Sequence, residues 1–196
     1  IDEFVKIWNE GSVDYLNVNS FKKYTTEEEG NDAWLFNRNV YSGDVSIAGM
    51  FATLINEAES SIFLCPYLPT VDDRMAESLF RAKERGVDVD IWCSQDSRGY
   101  AKSGSSWAVA ELIKDTGATF HEVTYSPDGE LLPMYHMKMM VVDDRYIVIG
   151  SSNFNYRSMT LSHEIALVVD SPTFAKAAKE AAKLSAGEGV ILTKEE

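Results

Sequence analysis

Basic side chains are scarce in this 196-residue chain: 18 Lys and Arg stand against 31 Asp and Glu, a formal net charge of −13. A protein that grips a polyanion ordinarily carries basic surface to neutralise phosphates, and no such cluster stands in the sequence. Its nearest basic features are Lys22-Lys23 and the spaced Lys176, Lys179 and Lys183. On a helix these last three read as a solvated side opposite Phe174, Ala178 and Ala182. The imbalance counts against nucleic acid as a partner, and against adsorption to anionic membranes through this chain alone. Long apolar runs are missing too. The longest uncharged stretches, such as 45–56, run to about a dozen residues, short of the roughly 20 needed to span a bilayer. Cysteine is nearly absent, with Cys65 and Cys93 each closing an apolar run. Free core thiols in a reducing compartment are expected, placing the chain in the cytoplasm or peripheral to a membrane. Only three histidines occur, His121, His136 and His163, and no grouping of residues offers a convincing metal site.

What is present suffices for one buried core: 45% of residues are hydrophobic. Residues 1–33 read as a connector ending in the acidic, turn-rich 25–32, and 34–196 as a single domain. The chain order predicts a strand near 33–38, a helix over about 46–60 with Ser46 as N-cap, a strand at 61–65, a helix at 72–85 and a strand at 87–93. A polar loop over 94–106 precedes a helix at 107–116 and a strand at 119–123. A loop at 125–133, a hairpin, a strand at 163–169 and a helix at 171–186 complete it. Such alternation points to an α/β fold, a mixed β-sheet flanked by helices on both faces.

The hairpin carries the chemistry. His136, Lys138, Asp143, Gly150, Ser151 and Asn153 follow the spacing H-x-K-x4-D-x6-G-S-x-N, far more specific than most short motifs. An imidazole, a full positive charge and a neutral carboxamide suit a phosphodiester: a nucleophile or proton carrier, plus fixed donors for the phosphoryl oxygens. The runs 139–142 and 146–149 are apolar and rich in β-branched residues, so they read as two strands about a tight turn. With Asp144 and Arg145 as turn residues, Asp143 pairs with Tyr146, Lys138 faces Ser151 and His136 faces Asn153. His136, Lys138, Ser151 and Asn153 then share one face. Asp143 points away, which gives it a structural task such as closing the turn or pairing with a cation.

This stretch resembles the signature of the phospholipase D superfamily, and its flanks resemble the cardiolipin synthase-like branch. The tract 151–158, with its Arg157-Ser158 pair, and the later His163-Glu164 carry that likeness. So do Pro66-Tyr67 closing a strand and the helix that leads through Gly86 into Val87-Asp88-Val89. Asn155 and His163 depart from the branch, which more often shows an acid and an Asn there. The resemblance implies a phospholipase D-like αβα sandwich acting on a phospholipid substrate through a phosphohistidine. One His attacks phosphorus and a second protonates the departing alcohol. Lys138 and Asn153 are implied to bind phosphoryl oxygens, Glu164 to orient the His136 ring, and Ser151 to support substrate binding. No cofactor and no metal are implied.

That chemistry takes two H-x-K motifs, and this chain holds one. The other is expected from an upstream half of the same polypeptide or from a second copy of the chain. The opening Phe4-Val-Lys-Ile-Trp8-Asn9 resembles the tail that follows a first half, favouring the upstream source. A phosphatidyltransferase or lipid phosphodiesterase, with peripheral membrane contact, is therefore the leading expectation. A homodimeric nuclease and a binding module without catalysis are the alternatives. Arg157 could serve as a loop cation, a headgroup contact or a structural partner. Met137, Met139 and Met140 read as core packing. Tyr67, Trp107 and Tyr135 stand equally between core and substrate mouth.

Overall fold

Eight strands among the described residues pair into one sheet: β1 (Asp32–Arg38), β2 (Ser61–Cys65), β3 (Asp88–Ser94), β4 (Thr119–Val123), β5 (Met139–Val142), β6 (Tyr146–Gly150), β7 (Glu164–Asp170) and β8 (Val190–Leu192). The helices are α1 (Ser46–Glu57), α2 (Asp73–Glu84), α3 (Tyr156–Thr160) and α4 (Pro172–Ala186). The sheet order is β1-β7-β6-β5-β2-β3-β4-β8. β2, β3 and β4 run parallel, and the remaining pairs are antiparallel. This computed structural model describes residues 5, 9, 30–38, 43, 45–67, 73–94, 117–123, 135–186 and 190–192. The chain divides into two compact units, Ile1–Gly30 and Asn31–Glu196. In the first, Val5 and Asn9 are helical, and most of the span expected to be a connector lies outside the described residues. So do the expected helix at 107–116, most of the loop before it, and the loop at 125–133.

The central strands are apolar on both sides because both sides are covered. In β2, Ile62 and Leu64 enter one core with Ile47, Phe51 and Ile55 of α1 and Leu79 of α2. Phe63 and Cys65 enter the opposite core with Ala175, Ala182 and Ala186 of α4. The expected mixed sheet with helices on both faces is therefore what forms. Both cysteines are buried and free. Burial pushes the Cys65 thiol up to about 12, against its hydrogen bond with Tyr135.

Three local expectations need correction. Ser46 is the first residue of α1 and not its cap; Val45 holds the cap position, and the Ser46 hydroxyl donates instead to Asn37 O at 2.8 Å. Lys179 and Lys183 are not on a solvated side of α4. They are half-buried against the sheet, where Lys179 reaches Asp144 at 2.9 Å and Lys183 reaches Asp90 at 3.2 Å. Their ammonium groups lie over the Phe63 ring, at 5.7 and 5.2 Å. The alanines beneath α4 leave room for lysine stems to lie along apolar surface, while Phe174 is exposed.

The third correction is the register of the hairpin. Val142 pairs with Tyr146 and Met139 with Ile149, one residue from the expected ladder. Arg145 N donates to Val142 O at 3.0 Å, and Asp143 and Asp144 both take left-handed backbone, φ 54° and 49°. Three residues thus occupy the turn. Continued upward, the ladder places Lys138 across from Gly150 and His136 across from Ser152.

The registers also gather the motif at one end of the sheet. Cys65 pairs with Met139, Met139 with Ile149, Gly150 with Ala166, and Arg38 with Glu164. This is the end where parallel β2, β3 and β4 finish, the usual place for ligands in open α/β sheets.

Candidate active site

His136 and Lys138 stand in the segment leading into β5, outside the ladder. Lys138 Nζ lies 3.0 Å from His136 Nε2. An ammonium has protons to give and no lone pair. Nε2 is therefore the acceptor, and the neutral ring carries its proton on Nδ1. Tyr67, two residues beyond β2, packs against both groups. Its ring centroid is 4.1 Å from that of His136 with the planes at 78°, and Lys138 Nζ is 5.3 Å from the same ring. Burial of the ring, then the Lys138 charge, holds the His136 imidazole below its ordinary range. Burial likewise lowers Lys138, with the Glu164 charge opposing that shift. The pair is a neutral base beside a cation at an exposed rim.

Glu164 opens β7. Ser151 Oγ donates to its Oε2 and accepts from Ile165 N at 3.0 Å, while Ser151 N donates to Ile165 O at 2.9 Å. Among the described residues Glu164 makes no hydrogen bond to His136, so the expected ring orienter has Ser151 as its partner. Its bearing on the pair is the field it places on Lys138. Ser151, expected across from Lys138, is displaced from that position by the register.

Gly150 separates the two pairs. A methyl at its Cβ position would sit 2.1 Å from Ile165 O and 2.9 Å from Ala166 Cα; only glycine lets β6 and β7 approach this closely.

Asn153 is half-buried in the loop after β6 and makes no hydrogen bond to His136 or Lys138 among the described residues. Its Oδ1 has no hydrogen-bond partner there either. The surrounding backbone is tied down. Asn153 N donates to Ser158 Oγ at 3.2 Å, Asn155 N donates to Asn153 O at 2.8 Å, and Ser158 N donates to Asn155 Oδ1 at 2.9 Å. Asn155 is thus the N-cap of α3. Asn and Asp fill that position about equally well, so this departure from the branch costs the loop nothing. Arg157 is exposed on α3, without an ion pair among the described residues.

Asp143 lies at the opposite end of the sheet and accepts from Glu59 N, Ser60 N, Ser60 Oγ and Ser61 N at 2.7 to 3.0 Å. Its partners are three backbone amides and a hydroxyl where the α1–β2 connection enters β2, so it ties the hairpin to β2. Tyr135 is core, donating to Ala182 O at 3.0 Å, and Met140 is fully buried. Trp107 lies outside the described residues. One buried cation had no cue in the sequence. Arg38 ends β1 at 3% exposure, and its guanidinium donates to Thr160 O and to Ser162 O at 2.6 Å. It fixes the connection that delivers Glu164.

Comparison with known proteins places this fold in a family. The family described as cardiolipin synthase, PLD-like domain, matches residues 51–184. The minor cardiolipin synthase ClsB of Bacillus subtilis is 24% identical over 168 residues, covering 81% of this chain and 40% of that protein. Cardiolipin synthase A of Proteus mirabilis is 29% identical over 126 residues, 64% of this chain and 24% of that one. The chain thus spans less than half the length of either. Among solved structures, the phospholipase D family member Nuc from Salmonella typhimurium overlays with a TM-score of 0.69. It is 24% identical and covers 83% of this chain and 99% of its own.

Proposed function

The chain belongs to the cardiolipin synthase PLD-like domain family, and from that premise we propose that it supplies one half of a phospholipase D-type centre acting on phospholipids. The reaction is phosphodiester transfer or hydrolysis through a phosphohistidine. One observation carries the reading: Lys138 Nζ stands 3.0 Å from His136 Nε2 at an exposed rim, which leaves that nitrogen unprotonated.

In the first step the Nε2 lone pair of His136 attacks phosphorus, and the bond from phosphorus to the leaving alcohol oxygen breaks. That oxygen takes its proton from the histidine of a second H-x-K motif. In the second step an acceptor, water or an alcohol, gives its proton back to that histidine and attacks the phosphohistidine, freeing His136. Lys138 turns from the imidazole to a phosphoryl oxygen, and Asn153 joins it as a neutral donor. Glu164 keeps the ammonium charged through its field, and Ser151 keeps Glu164 in place. The second motif comes from an upstream half or another copy of this chain. The net charge of −13 favours a lipid over a nucleic acid as substrate.

The test is incubation of the protein, complete with its second motif, with a short-chain phosphatidylglycerol, followed by mass spectrometry under conditions that preserve phosphoramidates. A phosphatidyl adduct on His136 is expected, absent in His136→Ala, with turnover lower by about three orders of magnitude or more in that variant. Turnover that survives His136→Ala overturns the reading. Turnover of oligonucleotide but not lipid assigns the site to a nuclease.

A further inference from the structure

We propose that Tyr67 is a positioning residue of this site, its ring acting as the wall that holds the His136 imidazole and the Lys138 ammonium in one pose. The inference rests on the functional reading above for the identity of the pair it positions.

Among the described residues, the His136 ring has a hydrogen bond to Lys138 and a ring contact with Tyr67. The first is a long, flexible chain that must leave Nε2 when a phosphoryl group arrives. The carboxylate expected to orient the ring is hydrogen-bonded to Ser151. The edge-to-face packing with Tyr67, at 4.1 Å and 78°, is a contact that can persist once Lys138 turns to substrate. Perpendicular packing is one of the two arrangements that ring quadrupoles favour. The same ring lies 5.3 Å from Lys138 Nζ, where its electron-rich face attracts the cation.

The backbone makes this wall stiff. Continued upward, the β2–β5 register sets Tyr67 across from Met137, the residue between His136 and Lys138. Pro66 before it is buried and has its φ fixed by its own ring. Cys65, one residue earlier, is fully buried and paired with Met139. A rigid strand end therefore presents the aromatic ring to a segment that lacks ladder hydrogen bonds of its own.

Two substitutions separate the ring from its hydroxyl. Tyr67→Phe should keep turnover and the His136 titration close to wild type. Tyr67→Leu should lower kcat about 10- to 100-fold with KM within about twofold. It should also move the His136 midpoint up toward the ordinary value of about 6.5, as seen by NMR of the ring protons. If Tyr67→Leu changes neither quantity, or Tyr67→Phe loses as much as Tyr67→Leu, the proposal is overturned. Nuclear Overhauser contacts between the two rings in the unmutated protein test it even if Tyr67→Leu does not fold, and their absence also overturns it. The NMR readouts need no turnover, so a protein inactive on every phosphodiester would refute the functional reading while the Tyr67 contact is still judged.

Discussion

Gly150 and Ile165 approach each other so closely that a single methyl on the glycine would lie 2.1 Å from the Ile165 carbonyl oxygen. That oxygen already accepts the Ser151 amide at 2.9 Å, and Ser151 in turn holds Glu164. The glycine of the motif is therefore a packing requirement of β6 against β7, placed where the polar residues begin. Gly150→Ala should force the strands apart and cost about 3 kcal/mol, the upper range for overpacking. In a chain this size that lowers the melting temperature by roughly 6–12 °C. Thermal melts check the magnitude, and faster amide exchange at Ser151 checks the location. A variant as stable as wild type would mean that the strands relax without loss.

The elements were largely legible in the sequence, because buried parallel strands announce themselves as short apolar runs between helical periods. β2 and β4 fall where apolar patterning puts them, and α1, α2 and α4 end within a few residues of their expected bounds. The register of the hairpin was not legible. Asp143-Asp144-Arg145 can close a turn of two residues or of three, and only the left-handed backbone at both aspartates decides it. The side of α4 that faces the sheet was hidden for another reason. Alanine marks a core weakly, and the lysines that lie flat over Phe63 look like solvent-exposed charges until Asp90 and Asp144 are in place. Among the candidate site residues, His136 and Lys138 were visible as a pair by spacing alone. The Ser151–Glu164 pair depends on the β6–β7 register, and the Arg38 guanidinium on carbonyls more than a hundred residues away. Neither relationship leaves a local trace.

Asp143 links pH to stability. Burial alone would raise its carboxyl, but the amides of Glu59, Ser61 and Ser60 and the Ser60 hydroxyl hold it below the ordinary carboxylate range. The native protein thus binds this proton less readily than the unfolded chain. The stabilising contribution is complete above the unfolded value of about 3.9 and is lost as pH falls through the depressed native value. Asp143→Asn tolerates the left-handed backbone but removes the charged acceptor, and should cost about 1–2 kcal/mol at pH 7. Urea unfolding of both proteins should show that difference shrinking below about pH 4. A difference that stays constant with pH would assign the cost to geometry and not to the carboxylate.

Lys138 should control the titration of His136. Burial and then the neighbouring ammonium depress the imidazole, so substitution of the charge removes the second cause and leaves the first. Lys138→Met keeps much of the stem, and His136 should titrate higher than in the wild type. The loss of a donor to Nε2 should also relax the tautomer, visible as a change in the ring nitrogen shifts. Protonation removes the nucleophilic lone pair, so the acidic limb of any remaining activity should move to higher pH by the same interval. The rate on its plateau should fall about 100- to 1000-fold, because a phosphoryl donor is gone as well. Two-dimensional proton–nitrogen NMR of the ring across pH 4–9 measures the first effect without turnover. An unmoved midpoint, or one displaced downward, would show that the ammonium does not act on this ring.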